Sequence, residues 1–462
     1  MTSLPDGSAL VFGTATAAYQ IEGATTADGR GPSIWDTFSA RPGAVLDGSD
    51  GSDACSSYER LDEDLDLLAG LGVGFYRFSV AWPRVQPTGS GAVEPRGLAY
   101  YDRLVDGLLD RGIAPMATLY HWDLPQPLED AGGWPVRDTA LRFADYAAVV
   151  HDRLGDRVRV WATHNEPWCA AYLGYAAGVH APGRREGAAA HRAAHHLLLG
   201  HGLAAAQLHG AGASDVGIVL NLMPVWPERP EAAGGADGVD AIQNRVWLGP
   251  IVDGAYDEGV RAIAPVLGDP DLVRVGDLEL VRGSCDWLGV NYYTPARVDV
   301  PGGETGGGVG LSVAGYPGAA PLRFVPRPPL TAMGWEVEPR GLEEVLISTH
   351  RRTSLPLVVT ENGAAYDDRT RAADGSVDDQ DRIGYLREHV AAVERARHAG
   401  ADVRAYVAWT LMDNFEWAEG YTKKFGLVEV DRVTGTRTPQ ASSRWYSDLV
   451  HAGGSPSGHG SA

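Results

Sequence analysis

Short apolar segments that each end in a polar residue recur along the chain, and stretches with helical spacing separate them. The clearest is residues 357–363 (LVVTENG), in which four strand-forming residues precede Glu361 and a strand-ending Asn-Gly pair. Eight such segments begin near residues 11, 75, 113, 158, 216, 286, 357 and 403. Strands that alternate with helices in this number predict an α/β chain that forms one (β/α)8 (TIM) barrel with elaborated βα loops.

No shift in composition divides the chain of 462 residues, so a single catalytic domain is predicted over residues 1–450. Residues 451–462 are predicted to be a disordered tail because small residues dominate them. Residues 245–267 are predicted to be helical. The Gly- and Pro-rich residues 300–329 are predicted to be a long irregular loop with a functional role.

Composition and charge exclude several classes of protein. A formal net charge of -21 argues against a nucleic-acid partner and favours neutral or cationic small molecules. No run of 18 apolar residues predicts a membrane span, and the first residues do not resemble a secretory signal. Three widely spaced cysteines fit reduced thiols. These observations together predict a cytoplasmic protein without a membrane or nucleic-acid partner.

Five histidines lie in the predicted helix 187–210, which raises the possibility of a metal site. They lack the Glu or Cys partners at ligand spacing that such sites use, so packed or surface imidazoles are the preferred interpretation. The sequence therefore predicts no metal site at these histidines.

Two carboxylates follow strand-like segments in the same way. Glu361 ends one strand, and Glu166 follows another in the segment HNEP. Because a barrel brings all carboxyl ends of its strands to one mouth, polar and aromatic residues at other strand ends should join them. A pocket with amides, imidazole, indole faces and two carboxylates suits a sugar. The predicted mouth comprises Gln20, Arg77, His121, Trp122, Asn165, Glu166, Asn221, Tyr293, Glu361 and Trp409.

From about residue 11 to about residue 446, the chain resembles glycoside hydrolase family 1, the β-glucosidase-like retaining enzymes. The resemblance lies in seven segments in matching order and spacing, namely FGTATAAYQIEG, YRFS, HWDLPQPL, NEPW, NYYT, TENG and WTLMDNFEWAEGY. It implies a (β/α)8 barrel that needs no cofactor. It also implies that Glu361 is the nucleophile and Glu166 the general acid and base, with Arg77 and Tyr293 orienting Glu361 and keeping it ionised.

The same resemblance implies a set of substrate contacts. The hydroxyl groups of the non-reducing sugar would be held by Gln20, His121, Asn165, Glu416 and Trp417. Trp409 would form the floor under this sugar, and Trp122 would border it. Asn221 and Trp335 would contact the leaving group, and Phe425 would form the wall near the primary hydroxyl.

Electrostatics favours unequal protonation of the two carboxyl groups. Retaining glycosidases hold them about 5 to 5.5 Å apart. Two negative charges at that separation repel by roughly 3 kcal/mol at an effective dielectric constant of about 20. Arg77 should therefore keep Glu361 charged and leave Glu166 protonated near neutral pH.

The predicted function is a retaining β-glucosidase that hydrolyses terminal non-reducing β-linked glucosyl residues of cello-oligosaccharides or of aryl and alkyl glucosides through a glycosyl-enzyme intermediate. One alternative is a 6-phospho-β-glycosidase, which Lys423 and Lys424 would favour and the carboxylate of Glu416 would oppose. Others are a non-catalytic sugar-binding barrel and a synthetic glycosyl transfer to an alcohol. The binding residues suit glucose, galactose and fucose alike, and no oligomeric state is predicted.

Overall fold

The computed structural model describes residues 3–302, 306, 308 and 310–453. Eight parallel strands close into a barrel in which each strand pairs with its neighbours in the chain. β1 closes the barrel against β8, with Val11 opposite Ala405 and Ala15 opposite Trp409. This confirms the predicted (β/α)8 architecture. The strands are β1 Val11–Ala15, β2 Phe75–Ser79, β3 Ala114–Tyr120, β4 Val160–Asn165, β5 Asp215–Asn221, β6 Trp287–Asn291, β7 Leu357–Asn362 and β8 Val403–Trp409.

Helices surround the barrel because each has one apolar face that the strands can bury. In the first of them, Leu61, Leu65 and Leu68 are buried, while Asp62 and Glu63 are exposed. One principal helix follows each strand. In chain order these helices are Leu61–Leu71, Pro95–Asp110, Arg137–Leu154, Gly187–Gly210, Val246–Asp253, Pro339–Thr353, Gln380–His398 and Ala441–His451.

Shorter helical segments lie in the loops between these elements. The α-helical ones are Ala18–Ile21, Ile34–Ser39, Trp82–Val85, Gln126–Asp130, Ala233–Asp240, Glu258–Ile263 and Asp277–Val281. The 3-10 turns are Ala27–Gly29, Pro230–Ala232, Pro265–Gly268, Val313–Gly315 and Trp417–Glu419, and the π-helical segments are Cys169–Ala177 and Ala241–Arg245. Most of this additional structure extends the loops at the carboxyl ends of the strands.

The stretch predicted to be helical over residues 245–267 is helical but interrupted. The helix Val246–Asp253 ends where Gly254 adopts a left-handed conformation with φ of 68°. A new helix, Glu258–Ile263, then begins behind Asp257, whose carboxylate accepts a hydrogen bond from Val260 N. A left-handed glycine and a side-chain cap are standard helix boundaries, and together they outweigh the apolar periodicity of the segment.

The predicted irregular loop at residues 300–329 contains regular structure within its described part. Arg323–Phe324 forms a short strand antiparallel to Ala296–Asp299, which in turn pairs with Val225–Pro227. A separate two-stranded sheet joins Val428–Val430 to Arg437–Pro439. Long-range pairing thus orders a segment whose glycine and proline content favours a loop.

Both strands that carry the predicted catalytic carboxylates are irregular at their ends. The pairing of β4 with β5 shifts between Ala162 and Asn165, and the pairing of β7 with β6 shifts between Val359 and Glu361. Such shifts re-aim the side chains that follow them. The barrel thereby directs Glu166 and Glu361 into its mouth.

Two further expectations concern the chain as a whole. Within the described ranges, no helix has the length and apolar character needed to cross a bilayer. The first residue of the predicted tail, His451, is the last residue of the helix Ala441–His451. Residues 454–462 of that tail lie outside the described residues.

Candidate active site

A pocket of about 860 Å³ opens at the carboxyl ends of the strands. Both carboxylates line it. Eleven of the fourteen predicted site residues form its surface, namely His121, Trp122, Glu166, Asn221, Tyr293, Trp335, Glu361, Trp409, Glu416, Trp417 and Phe425. The other three, Gln20, Arg77 and Asn165, are buried directly behind this surface and hydrogen-bond to residues that line it.

Glu361 is fixed by one cation and one phenol. Arg77 Nη1 donates to Glu361 Oε1 over 2.6 Å, and Tyr293 Oη donates to Oε2 over 2.7 Å. Burial raises the pKa of Glu361, whereas the charge of Arg77 and the hydrogen bond from Tyr293 oppose that rise. Both donors stabilise the ionised form, so the geometry presents Glu361 as an oriented carboxylate.

Among the described residues, no cation contacts Glu166 directly. Its Oε1 accepts from Asn291 Nδ2 over 2.7 Å, and its Oε2 accepts from Cys169 Sγ over 3.0 Å. Burial and, after it, the charge of Glu361 raise the pKa of Glu166 to about 7. The two carboxyl groups therefore differ in the way that acid and nucleophile require, since Glu166 keeps its proton at a pH where an ordinary Glu is ionised.

Asn165 connects this pair to a histidine. Arg77 Nη2 donates to Asn165 Oδ1 over 2.7 Å, which orients the amide so that its Nδ2 donates to His121 Nε2 over 2.9 Å. Burial and the charge of Arg77 lower the pKa of His121 well below its usual value. The imidazole is thus neutral and carries its hydrogen on Nδ1, an atom with no partner among the described residues. That N–H is available to a ligand hydroxyl.

Gln20 and Glu416 form a second polar group at the mouth. Gln20 Nε2 donates to Asn414 Oδ1 over 3.0 Å and to the Phe415 carbonyl over 2.9 Å, and it lies 3.4 Å from Glu416 Oε2. Gln20 Oε1 is buried without a partner in the described part of the chain. Burial, followed by the charge of Glu361, raises the pKa of Glu416 to about 8. This group combines a free acceptor with a carboxyl that can donate or accept.

Aromatic rings supply the apolar surface. The Trp417 ring centroid lies 4.6 Å from that of Trp122 and 5.9 Å from that of His121, and Trp409 stacks near His121 at 5.8 Å. On the Tyr293 side, Trp335 and Phe425 lie 6.2 Å apart. Rings in these positions can cover the C–H faces of a pyranose.

Three residues that line the pocket have strained backbone conformations. Trp122, Glu166 and Trp417 adopt positive φ angles of 78°, 43° and 50°. Non-glycine residues adopt such angles only where the surrounding structure imposes them. The barrel therefore holds these three pocket residues in defined orientations.

Asn291 and Thr118 were not predicted as site residues. Asn291 Nδ2 contacts both Glu166 and Asn165, and Asn291 Oδ1 accepts from Thr360 Oγ1 over 2.7 Å. Its position at the end of β6, in the segment NYYT, was a signal that could have identified it. Thr118 lies inside β3 and accepts from Arg77 Nε over 3.0 Å, and no sequence pattern marks it.

The histidines of helix Gly187–Gly210 have separate partners. His195 contacts Tyr256 and Asp277, His201 contacts Thr163 and Ser284, and His196 contacts the Trp134 carbonyl. Across the described ranges, no three His, Cys, Asp or Glu side chains cluster as ligands of a metal ion would.

A parallel barrel with two unequal buried carboxyl groups, free hydrogen-bonding groups and indole faces at one mouth defines a glycoside hydrolase. The sequence model for glycosyl hydrolase family 1 matches residues 3–455, and the chain belongs to that family. The family and the barrel predicted from the sequence are therefore confirmed.

Two curated relatives cover almost the entire chain. Thermostable beta-glucosidase B of Thermobispora bispora is 49% identical over 456 residues, which cover 98% of this chain and 91% of the relative. The bifunctional beta-D-glucosidase/beta-D-fucosidase of Bifidobacterium breve is 46% identical over 457 residues, or 95% and 97% of the two chains.

Solved structures show the same similarity. The psychrophilic beta-glucosidase BglU from Micrococcus antarcticus superposes with a TM-score of 0.92 at 44% identity, covering 96% of this chain and 97% of that one. The family 1 beta-glucosidase from Thermotoga maritima superposes with a TM-score of 0.89 at 40% identity, covering 98% and 100%.

Proposed function

We propose that the protein is a retaining β-glucosidase that releases terminal non-reducing β-linked glucose from cello-oligosaccharides or from aryl and alkyl glucosides. The observation that carries the proposal is the unequal pair of Glu361, bound by Arg77 and Tyr293, and Glu166, bound by a neutral amide and a thiol. The names of the relatives support the substrate class.

In the first step, the Glu361 carboxylate attacks the anomeric carbon while Glu166 gives its proton to the departing oxygen. The bond to the leaving group breaks and a glycosyl ester of Glu361 forms. This ester is uncharged, so the repulsion that raises the pKa of Glu166 disappears and its pKa falls. Glu166 then removes a proton from water, which attacks the same carbon and releases glucose with its original configuration.

We assign the substrate contacts from polar groups that lack partners among the described residues and from a carboxyl group that lines the pocket. We assign the hydroxyls of the non-reducing sugar to the free His121 Nδ1–H, the free Gln20 Oε1 and Glu416. The remaining contacts are those of the predicted set, with Asn165 acting through its bond to His121. Asn221 and Trp335 are assigned to the leaving group, Trp122, Trp409 and Phe425 to the sugar faces and walls, and Trp417 to a sugar hydroxyl group.

A 6-phosphorylated substrate is not favoured. Lys423 Nζ donates to the Ala332 carbonyl over 2.9 Å and pairs with Glu419, and Lys424 pairs with Glu429 at 3.4 Å. Neither lysine lines the pocket, whereas the carboxyl group of Glu416 does and offers a phosphate no positive charge. A non-catalytic sugar-binding barrel is equally disfavoured, because both carboxyl groups are in place.

We also propose that the protein acts in the cytoplasm. All three cysteines are free and buried, which suits the reducing cytoplasm. A cytoplasmic β-glucosidase would act on short β-glucosides that have entered the cell, including fragments from cellulose degradation. Its partner in this setting is the small-molecule glycoside.

The experiment that tests the mechanism is proton NMR during hydrolysis of p-nitrophenyl β-glucoside. We expect β-glucose to appear first and α-glucose to follow by mutarotation, because two displacements at one carbon restore its configuration. Early α-glucose would indicate a single displacement by water and would contradict the role of Glu361. Cellobiose consumption without glucose release would support the sugar-binding alternative.

The activity should depend on pH through Glu166. Its pKa is about 7 in the free enzyme, so the protonated acid is abundant below that pH and is lost as pH rises through it. We therefore expect kcat/KM for p-nitrophenyl β-glucoside to fall about tenfold per pH unit above the alkaline pKa. A profile that stays flat to pH 9 would contradict the assignment of Glu166 as the acid.

A further inference from the structure

The two oxygens of Glu166 have partners of different chemistry. Asn291 Nδ2 donates to Oε1 over 2.7 Å, and Cys169 Sγ donates to Oε2 over 3.0 Å. An amide nitrogen can only donate, whereas a thiol can donate or accept. Oε1 therefore acts as an acceptor in its contact with Asn291, and Oε2, beside a sulfur that can also accept, is the oxygen better suited to carry the proton of Glu166.

The backbone and a neighbouring strand fix this sulfur. Cys169 N donates to the Glu166 carbonyl over 2.9 Å, at the start of the π-helical segment Cys169–Ala177. From the end of β5, Asn221 Nδ2 lies 3.7 Å from Sγ. Cys169 is 7% exposed and lines the pocket. The thiol thus lies at the pocket wall, and residues at the ends of β4 and β5 fix its position.

The Cys169 thiol remains uncharged over the pH range in which Glu166 gains or loses its proton. Burial, together with the negative charge of Glu166, raises the pKa of Cys169 well above its usual value. The sulfur keeps its hydrogen throughout, so its function is to hydrogen-bond and not to exchange protons or form a covalent bond.

We propose that Cys169 is a positioning residue for the acid and base step. Its thiol holds Oε2 of Glu166 in place, donates to that oxygen when it is a carboxylate, and faces it with an acceptor when it is protonated. This inference rests on the proposed β-glucosidase mechanism and extends it to a side chain that would otherwise only fill space.

The test compares Cys169→Ala and Cys169→Ser with the unmodified protein on aryl β-glucosides whose leaving phenols span a range of pKa. Poor leaving groups need the proton from Glu166, whereas dinitrophenol leaves without it. We expect Cys169→Ala to lose about three- to tenfold in kcat/KM on poor leaving groups, as for one weak hydrogen bond, and little on dinitrophenyl glucoside.

The alkaline limb of the pH profile should move in opposite directions in the two variants. Loss of the donor in Cys169→Ala destabilises the carboxylate and should raise the alkaline pKa by about half a unit. The hydroxyl group introduced in Cys169→Ser is a stronger hydrogen-bond donor than a thiol, so this variant should have a lower alkaline pKa. Glu361, Arg77, Tyr293 and Glu416, the other charged or titratable groups that face Glu166, are unchanged in both variants.

The matched control is Cys285→Ser, since Cys285 is a buried thiol 3.2 Å from His201 Nε2 and outside the pocket lining. Its kinetics should be unchanged. Equal losses of kcat/KM for every leaving group, or an alkaline limb that stays in place in both Cys169 variants, would show that Cys169 has only a packing role. If Cys169→Ala does not fold, the downward shift in Cys169→Ser decides the question. An unmodified protein without hydrolytic activity would instead refute the proposed function.

Discussion

Replacing Glu361 by glycine is expected to reduce turnover of p-nitrophenyl β-glucoside on the order of 10⁴-fold or more, as for removal of other enzymatic nucleophiles. The anomeric carbon then has no partner for the first displacement. Azide or formate should enter the space left by the side chain and restore part of the activity on dinitrophenyl β-glucoside. With azide, the product should be α-glucosyl azide, because a single attack from the Glu361 side inverts the configuration.

Two controls separate this loss from misfolding. Glu361→Gln keeps the size of the side chain and can still accept from Arg77, yet it should be as inactive as the glycine variant. Glu59→Gly removes an exposed glutamate far from the pocket lining and should retain full activity. Full activity in Glu361→Gly, with thermal melting unchanged, would overturn the assignment of the nucleophile.

Replacing Glu166 by alanine should lower kcat/KM by roughly 10² to 10⁴-fold on substrates with poor leaving groups, the contribution expected of a general acid. Dinitrophenyl β-glucoside should be affected far less in the first displacement, so the glycosyl ester of Glu361 accumulates and hydrolysis of the ester becomes limiting. The alkaline limb of the pH profile, which reports the pKa of about 7 at Glu166, should disappear.

Azide distinguishes the two carboxyl groups by product configuration. In Glu166→Ala it should attack the glycosyl ester and yield β-glucosyl azide, the opposite anomer from that expected with Glu361→Gly. A loss of the same size for good and poor leaving groups would contradict the role of Glu166 as the acid. Identical anomers from both variants would mean that the two roles are not divided as proposed.

The barrel was predictable because its signals are local. Apolar runs such as those before Glu361 and Glu166 specify buried strands through the residues immediately around them, and eight of them fix the architecture. The break within the helical residues 245–267 was missed because apolar periodicity does not reveal the left-handed conformation of Gly254. The pairing of Arg323–Phe324 with Ala296–Asp299 was missed because strand partners lie far apart in sequence.

The sequence by itself determined the eight strands, the polar residues at their ends, and the presence of two carboxyl groups among indole and amide side chains. The tertiary structure decided which of these atoms meet. Arg77 and Glu361 are 284 residues apart, and only closure of the barrel brings them within 2.6 Å. The bonds of Asn291 and Cys169 to opposite oxygens of Glu166 likewise depend on strand registers and side-chain directions, which no local pattern specifies.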